Sequence, residues 1–336
     1  MTPKAAYWRR ENADGGIVCE LCPHGCHIAD GHFGLCKVRK NEGGALALPF
    51  FSRITSLAED PIEKKPLHHF LPGSHVFSVG FAGCNMRCPF CQNWRISQEI
   101  PSSLEALDPQ GLIAMALKSG LPSIAYTYSE PTVHFEFVAA AMSAARAVGL
   151  KNVLVTNGTL ESGPARELLN LTDAVNVDLK TWSSETYKKV LGGRRETVLS
   201  FIEEAFPRCH IEVTTLIVPE ISDSMDDMTD LSGFLAGISP DIPLHISAYH
   251  PAWKHDAPPT SISHIEKLAT VARKKLRFVY LGNIQWFTAD TVCPQCLSKI
   301  VSRRGYAINL GGLKISGSSV NCATCGYALP IILSKV

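Results

Sequence analysis

Charged residues are few in this sequence. Only 19% of its 336 residues are Asp, Glu, Lys or Arg, and they balance to a net charge of +1. With no long Lys/Arg run either, the chain offers no generic surface for nucleic acid or anionic lipid. No apolar stretch approaches the roughly 18 residues of a membrane span. The N-terminus, Met1–Arg10, has no apolar core of signal-peptide length. Internal repeats and low-complexity linkers are missing too. These absences exclude nucleic acid and membranes as partners and make the cytoplasm the expected location. At 46% hydrophobic residues, the chain is expected to form one large domain with small appendages.

Cysteine, by contrast, is plentiful. Twelve cysteines in a reducing compartment need a reason, because structural disulfides are disfavoured there. Eleven fall into three groups: Cys19, Cys22, Cys26 and Cys36; Cys84, Cys88 and Cys91; and Cys293, Cys296, Cys322 and Cys325. Cys209 stands alone and reads as a small core residue. Spacings of two and three residues indicate metal binding rather than a disulfide framework. The groups also divide the chain. Residues 1–45 form a Cys/His/Gly-rich module too polar to build a core without a metal. Residues 46–289 form the body, and residues 290–336 carry two CxxC knuckles around short β-like runs.

The middle group, Cys84-x3-Cys88-x2-Cys91, packs three thiols into eight residues with no fourth cysteine nearby. Each thiolate can hold one corner of a [4Fe–4S] cube. The remaining iron is then free to bind a small molecule. This spacing resembles the cluster motif of the radical S-adenosylmethionine (SAM) enzymes, whose open iron chelates the amino and carboxylate groups of SAM.

The body alternates strand-like and helix-like segments. Short apolar runs at Val76–Phe81, Ser123–Tyr128, Asn152–Thr156, Ala174–Leu179, His210–Val218, Leu244–Tyr249 and Phe278–Leu281 predict buried parallel strands. Asp108-Pro109 and Glu130-Pro131 each open a predicted helix with a cap residue and a proline. Further helices are expected near Ala165–Leu171, Thr197–Ala205, Met228–Ala236 and Ser261–Leu276. The fold class is α/β, a parallel sheet with helices outside, either doubly wound or curved into a barrel. In both cases function belongs at the C-terminal strand ends. Polar residues do fall there: the cysteine loop, Glu130, Thr156 and Asn157, Asp178 and Lys180, His245, and Gly282-Asn283. Taken singly, Glu130 and Asn157 could be helix caps, Asp178 and Lys180 a surface ion pair, and His245 a satisfied core residue.

These residues carry a closer resemblance. The body is similar to the radical SAM domain of the glycyl-radical-enzyme activases, which implies a partial (β/α)6 barrel. In that family an acid in a Gly-Gly-Glu-Pro-like turn binds the SAM ammonium. Ser129-Glu130-Pro131 matches the acid and proline but lacks the paired glycines. Thr156-Asn157-Gly158 matches the family's Thr-Asn-Gly turn, and Asp178 with Lys180 its Asp-x-Lys strand end; His245 corresponds to a histidine bordering the SAM site. From their proximity to such a site, Thr156, Asn157, Asp178 and Lys180 are expected to hold the SAM carboxylate and ribose, and Asn93 and Trp94, just after the cysteines, to bracket the adenine. Val155 departs from the Asp those activases tend to carry there.

The segments Asp60–Leu67, His69–Gly73, Cys91–Trp94, Ala125–Pro131 and Tyr280–Asn283, with Cys22-Pro23-His24-x-Cys26, resemble one branch, the AmmeMemoRadiSam group. That resemblance implies association with a Memo-like protein and an AMMECR1-domain protein. It also implies reduction by a flavodoxin- or ferredoxin-type donor. The expected activity is reductive cleavage of SAM to a 5′-deoxyadenosyl radical that abstracts hydrogen from a small-molecule or protein substrate. Installation of a glycyl radical on a partner protein is an alternative. A non-enzymatic iron–sulfur or zinc protein is another, but it leaves the β/α body unexplained.

Cys293-x2-Cys296 and Cys322-x2-Cys325 match a zinc ribbon, with rubredoxin-type iron as the alternative. For Cys19, Cys22, Cys26 and Cys36 a structural zinc is expected, or else an auxiliary iron–sulfur cluster; His24, His27 and His32 compete as ligands. The Asp60–Pro66 segment reads as a solvated loop or part of a substrate entrance.

Overall fold

The computed structural model describes residues 4–11, 15–284, 289–317 and 319–333. The first three residues of the chain, and residues 285–288 at the end of the expected body, lie outside the described residues. The body is built on one eight-stranded sheet. Its strands are β1 (Ser56–Pro61), β2 (His75–Gly80), β3 (Ser123–Thr127), β4 (Lys151–Thr156), β5 (Ala174–Asp178), β6 (His210–Ile217), β7 (Leu244–Ala248) and β8 (Val279–Gly282). Spatial order equals chain order: β1 runs antiparallel to β2, and every later neighbour pair is parallel.

Each crossover from β2 onward carries a helix: α1 (Pro109–Ser119), α2 (Phe135–Ala147), α3 (Ser162–Leu169), α4 (Arg195–Ala205), α5 (Met225–Ile238) and α6 (Ile262–Ala272). A doubly wound sheet needs a reversal of strand order, and the described strands have none. Right-handed crossovers without a reversal put all six helices on one face. Phe77, Val79, Ile124, Tyr126, Leu154, Val175, Val177 and Ile246 point into that layer and pack against Leu112, Val138, Leu168, Phe201, Leu231 and Leu268. The opposite face carries Val76, Ala125, Val153 and Ala174, covered by Ile62, Leu67, Phe70 and Leu71.

Local chemistry sets the helix ends. The Asp108 side chain accepts the Gly111 N–H at 2.7 Å with Pro109 at the first position, and Gly120 ends α1 at φ +70°. Glu130-Pro131 opens a tighter 3-10 turn, Pro131–His134, before α2 begins at Phe135. Strand β1 has no counterpart in the sequence reading, and the solvated-loop reading of Asp60–Pro66 fails for two of its charges. Asp60 and Lys65 are both buried, and they pair at 2.7 Å.

The flanking modules pack onto this body. In the N-terminal module Trp8–Arg10, Ile17–Cys19 and His27–Ile28 form a small sheet, followed by a hairpin of Lys40–Glu42 and Ala45–Ala47. Buried Arg39 donates to both oxygens of Glu136 on α2, at 3.0 and 2.9 Å. In the C-terminal module Cys293, Ile300, Val301, Val320 and Ile331 share a core with Phe278 and with Tyr280 of β8. Arg303 reaches under the sheet to the His68 carbonyl at 2.7 Å.

Candidate active site

The C-terminal ends of the parallel strands surround a cavity of about 260 Å³. Cys84, Cys88 and Cys91 line it, carried by the loop after β2. Bonds from Arg87, Asn85 and Gly83 hold this loop. The Arg87 N–H donates to the Leu191 carbonyl at 2.7 Å, and its guanidinium to the Cys84 and Met86 carbonyls at 3.1 Å each. Asn85 donates to the Thr159 carbonyl at 2.7 Å, and the Gly83 N–H to the Ile96 carbonyl, also at 2.7 Å.

The three thiols are spread wider than one ion permits. Two sulfurs bonded to the same zinc at about 2.3 Å each lie no more than about 4.6 Å apart. Among the described residues, only the C-terminal set brings three or more ligand atoms within 4.8 Å of one another. Cys84, Cys88 and Cys91 therefore suit a polynuclear cluster with one sulfur per iron. The Met86 N–H and the Asn157 side-chain amide approach the Cys84 sulfur at 3.4 and 3.7 Å, and such N–H···S contacts tune a cluster's potential.

Glu130, at the turn after β3, is 1% exposed and lines the same cavity. Its Oε1 accepts from the Thr132 N–H (3.1 Å), the Thr132 hydroxyl (2.6 Å) and the Thr156 hydroxyl (2.7 Å). Its Oε2 accepts only the Asn157 N–H, at 2.8 Å. One lone pair on Oε2 remains for a cationic ligand. Burial pushes this carboxyl above the ordinary range, against the hydrogen bonds that pull it down. Glu130 does cap the turn, but four donors exceed what a cap needs.

Asn93, Asn157, Asp178 and Lys180 also line the cavity. The Lys180 ammonium sits 2.7 Å from Asp178, so this pair belongs to the cavity wall rather than the outer surface. Burial opposes the Lys180 charge, but Asp178 and the nearby Cys88 outweigh it and hold the ammonium protonated. Asn93 donates to the Tyr128 carbonyl at 2.6 Å.

Three expected ligand contacts are placed elsewhere, and Trp94 is the first, since it does not line the cavity. Thr156 does not line the cavity; it holds Glu130. His245 is buried below it, its Nε2–H donating at 2.6 Å to Glu212, which also accepts the His68 and His69 N–H groups. Ser247 takes the cavity position instead, because the next inward residue of a strand lies two along. Sequence reasoning missed Thr214 and Leu216 as lining residues, while Tyr128 and Asn283, which the sequence puts at strand ends, line the cavity as well. Tyr128 has a left-handed backbone, φ +73°, at the first of the two positions where the activases carry glycine. Its hydroxyl donates to Asp60, and the Lys65 ammonium lies 4.3 Å from its ring centre. These contacts hold a conformation that a bulky residue otherwise avoids.

Comparison with known proteins bears on this geometry. Residues 78–232 match the model of the Radical SAM superfamily. The chain is 37% identical over 327 residues to Uncharacterized protein MJ0808 of Methanocaldococcus jannaschii, covering 95% of this chain and 97% of that protein. The chain belongs to the radical SAM superfamily. Members of this superfamily are enzymes that use SAM and a [4Fe–4S] cluster. Pyruvate formate-lyase 1-activating enzyme of Escherichia coli K12 is 25% identical over 186 residues, covering 53% of this chain and 76% of that enzyme. The crystal structure of Streptococcus suis SuiB bound to S-adenosylmethionine aligns with a TM-score of 0.49 at 13% identity, covering 64% of this chain and 50% of that one. Among the described residues no helix is long and apolar enough to cross a membrane.

At the other end of the chain, the Cys293 and Cys325 sulfurs lie 3.6 Å apart, and those of Cys296 and Cys322 3.7 Å. These separations suit four thiolates on one tetrahedral ion, a closed structural site.

Proposed function

We propose that this chain is a radical SAM enzyme working on a partial (β/α)6 barrel, with Cys84, Cys88 and Cys91 holding its [4Fe–4S] cluster. The observation that carries this reading is the convergence of those thiols with Glu130, Asn157, Asp178 and Lys180 on one cavity at the strand ends. When bound, the cluster and SAM supply one-electron cleavage of the sulfonium bond and a 5′-deoxyadenosyl radical that abstracts hydrogen. The protein residues bind, orient and exclude water. Oε2 of Glu130 takes the SAM ammonium in a charge-assisted hydrogen bond. The Lys180 ammonium offers a partner for the SAM carboxylate, and Asn93 and Asn157 offer amides for the ribose and adenine. Thr156 and Thr132 orient Glu130.

The hydrogen donor is a small molecule or a protein. Installation of a glycyl radical on a partner protein is a second reading, supported by the similarity to the pyruvate formate-lyase activating enzyme. The motifs at Asp60–Leu67 and Ala125–Pro131 support an AmmeMemoRadiSam role beside Memo-like and AMMECR1-domain proteins, with a flavodoxin or ferredoxin as reductant. Zinc is the metal proposed for the C-terminal site. The test is SAM turnover by the anaerobically reconstituted full chain under dithionite. Methionine and 5′-deoxyadenosine should form in equal amounts, and a folded, cluster-loaded chain that leaves SAM intact would overturn the reading.

A further inference from the structure

The N-terminal module gathers its four cysteines into one place. Cys19 ends a strand and donates its N–H to the Cys26 carbonyl at 2.9 Å. Cys22 lies in the turn between them, closed by the Gly25 N–H on the Cys22 carbonyl at 3.2 Å. Cys36 sits in the next turn, where the Lys37 N–H donates to the Gly34 carbonyl at 2.9 Å. A Cβ added to Gly34 would stand 3.7 Å from the Cys26 sulfur, so the two turns face each other. Cys19 and Cys36 are buried and Cys22 and Cys26 half-buried.

They converge without reaching single-ion distances. No three of these sulfurs lie within 4.8 Å of one another, whereas the C-terminal four do. The wide spacing is shared with Cys84, Cys88 and Cys91, the set assigned to a cluster. Within one chain, then, one set of cysteines meets the spacing of a mononuclear site and the other two do not. A neighbouring donor points the same way. Arg39 is 1% exposed, and its Nε is buried with no acceptor in the protein. Glu136 and the Ala6 carbonyl occupy its terminal nitrogens. The Arg39 backbone carbonyl accepts the Gly34 N–H at 2.9 Å, two residues before Cys36. A cluster sulfur is a fitting acceptor for the Arg39 Nε–H.

We infer that Cys19, Cys22, Cys26 and Cys36 ligate a second [4Fe–4S] cluster, with all four irons held by protein, rather than a zinc ion. It would lie against the first cluster's loop. The Cys36 carbonyl stands 2.4 Å from where a Cβ on Gly83 would be, so only glycine fits beside Cys84. His24 is 2.6 Å from the Asn85 carbonyl, and Arg87 donates to the Leu35 carbonyl. This inference does not depend on the substrate or on SAM cleavage.

The test uses the full chain with Cys84, Cys88 and Cys91 all changed to Ala. It is reconstituted anaerobically with iron and sulfide and assayed for iron, acid-labile sulfide and zinc, with electron paramagnetic resonance after reduction. The expected result is about four irons and four sulfides per chain, and a [4Fe–4S] signal that SAM does not alter. A further change of Cys19 and Cys36 to Ser should remove that signal. About two zincs per chain with no sulfide would overturn the inference. Should the triple variant fail to fold, the unaltered chain decides: about eight cluster irons support the second cluster, and about four contradict it.

Discussion

The side-chain amide of Asn157 lies 3.7 Å from the sulfur of Cys84. Through its backbone N–H, the same residue donates to Glu130 at 2.8 Å. One residue therefore touches both a cluster ligand and the acid assigned to SAM. Asn157→Ala should lower the cluster's midpoint potential, because an N–H directed at sulfur favours the reduced state. It should also destabilise the fold by about 1–3 kcal/mol, since the Thr159 N–H and Asn85 side chain lose their partner. A redox titration followed by paramagnetic resonance, with thermal unfolding alongside, checks both effects.

Glu130→Gln should weaken SAM binding about tenfold or more, a loss of roughly 1.5–3 kcal/mol. The structure raises the expected stability cost above that of a simple cap. Whichever way the new amide turns, its nitrogen meets donors, either the Asn157 N–H or the Thr132 and Thr156 groups. A loss of about 1–3 kcal/mol follows. Calorimetric titration with SAM on the folded variant checks the first effect, and denaturant unfolding the second.

Asp60 gives the acid limb of the stability profile a specific source. Burial raises its carboxyl pKa, but bonds from Lys64, Lys65 and Tyr128 win and hold it well below the usual range. A depressed folded value means the contribution is present above the unfolded pKa of about 3.9 and fades as pH falls toward the folded value. Asp60→Asn should flatten that part of the profile. Near neutral pH it should cost about 3–5 kcal/mol, because Lys65, 2% exposed, loses its charge partner. Chemical denaturation of both proteins across the acid range is the measurement.

Much of this architecture was legible in the sequence. Parallel strands buried on both faces are short, mostly apolar runs, so β2 through β8 show themselves within a residue or so at each end. The cysteine spacings are local and equally plain, and Glu130, Asn157, Asp178 and Lys180 stand out as polar residues closing apolar runs. What was hidden depends on distant contacts. Strand β1 is Ser-Leu-Ala-Glu-Asp-Pro, whose charges look solvated until the Lys65 and Tyr128 partners of Asp60 are seen. His245 and Ser247 point the same way from one strand, and periodicity cannot tell which is deep. Tyr128 occupies a backbone shape that sequence assigns to glycine.

Replacing Cys322 and Cys325 with Ser should remove about one zinc per chain while leaving the central cluster's spectrum unchanged. The damage should extend past the tail, because Val320 and Cys322 share a core with Phe278 and Tyr280. Hydrogen exchange should therefore quicken in Val279–Gly282 as well. Loss of iron in place of zinc would make the site a rubredoxin-like centre.

The central claim is that SAM binds at a cluster held by Cys84, Cys88 and Cys91. Paramagnetic resonance of the reduced full chain, recorded with and without SAM, tests it most directly. A [4Fe–4S] signal that shifts on adding SAM is expected, with loss of that SAM-sensitive signal in Cys88→Ala. A signal indifferent to SAM in the unaltered chain, or a SAM-induced shift that survives in Cys88→Ala, would contradict it.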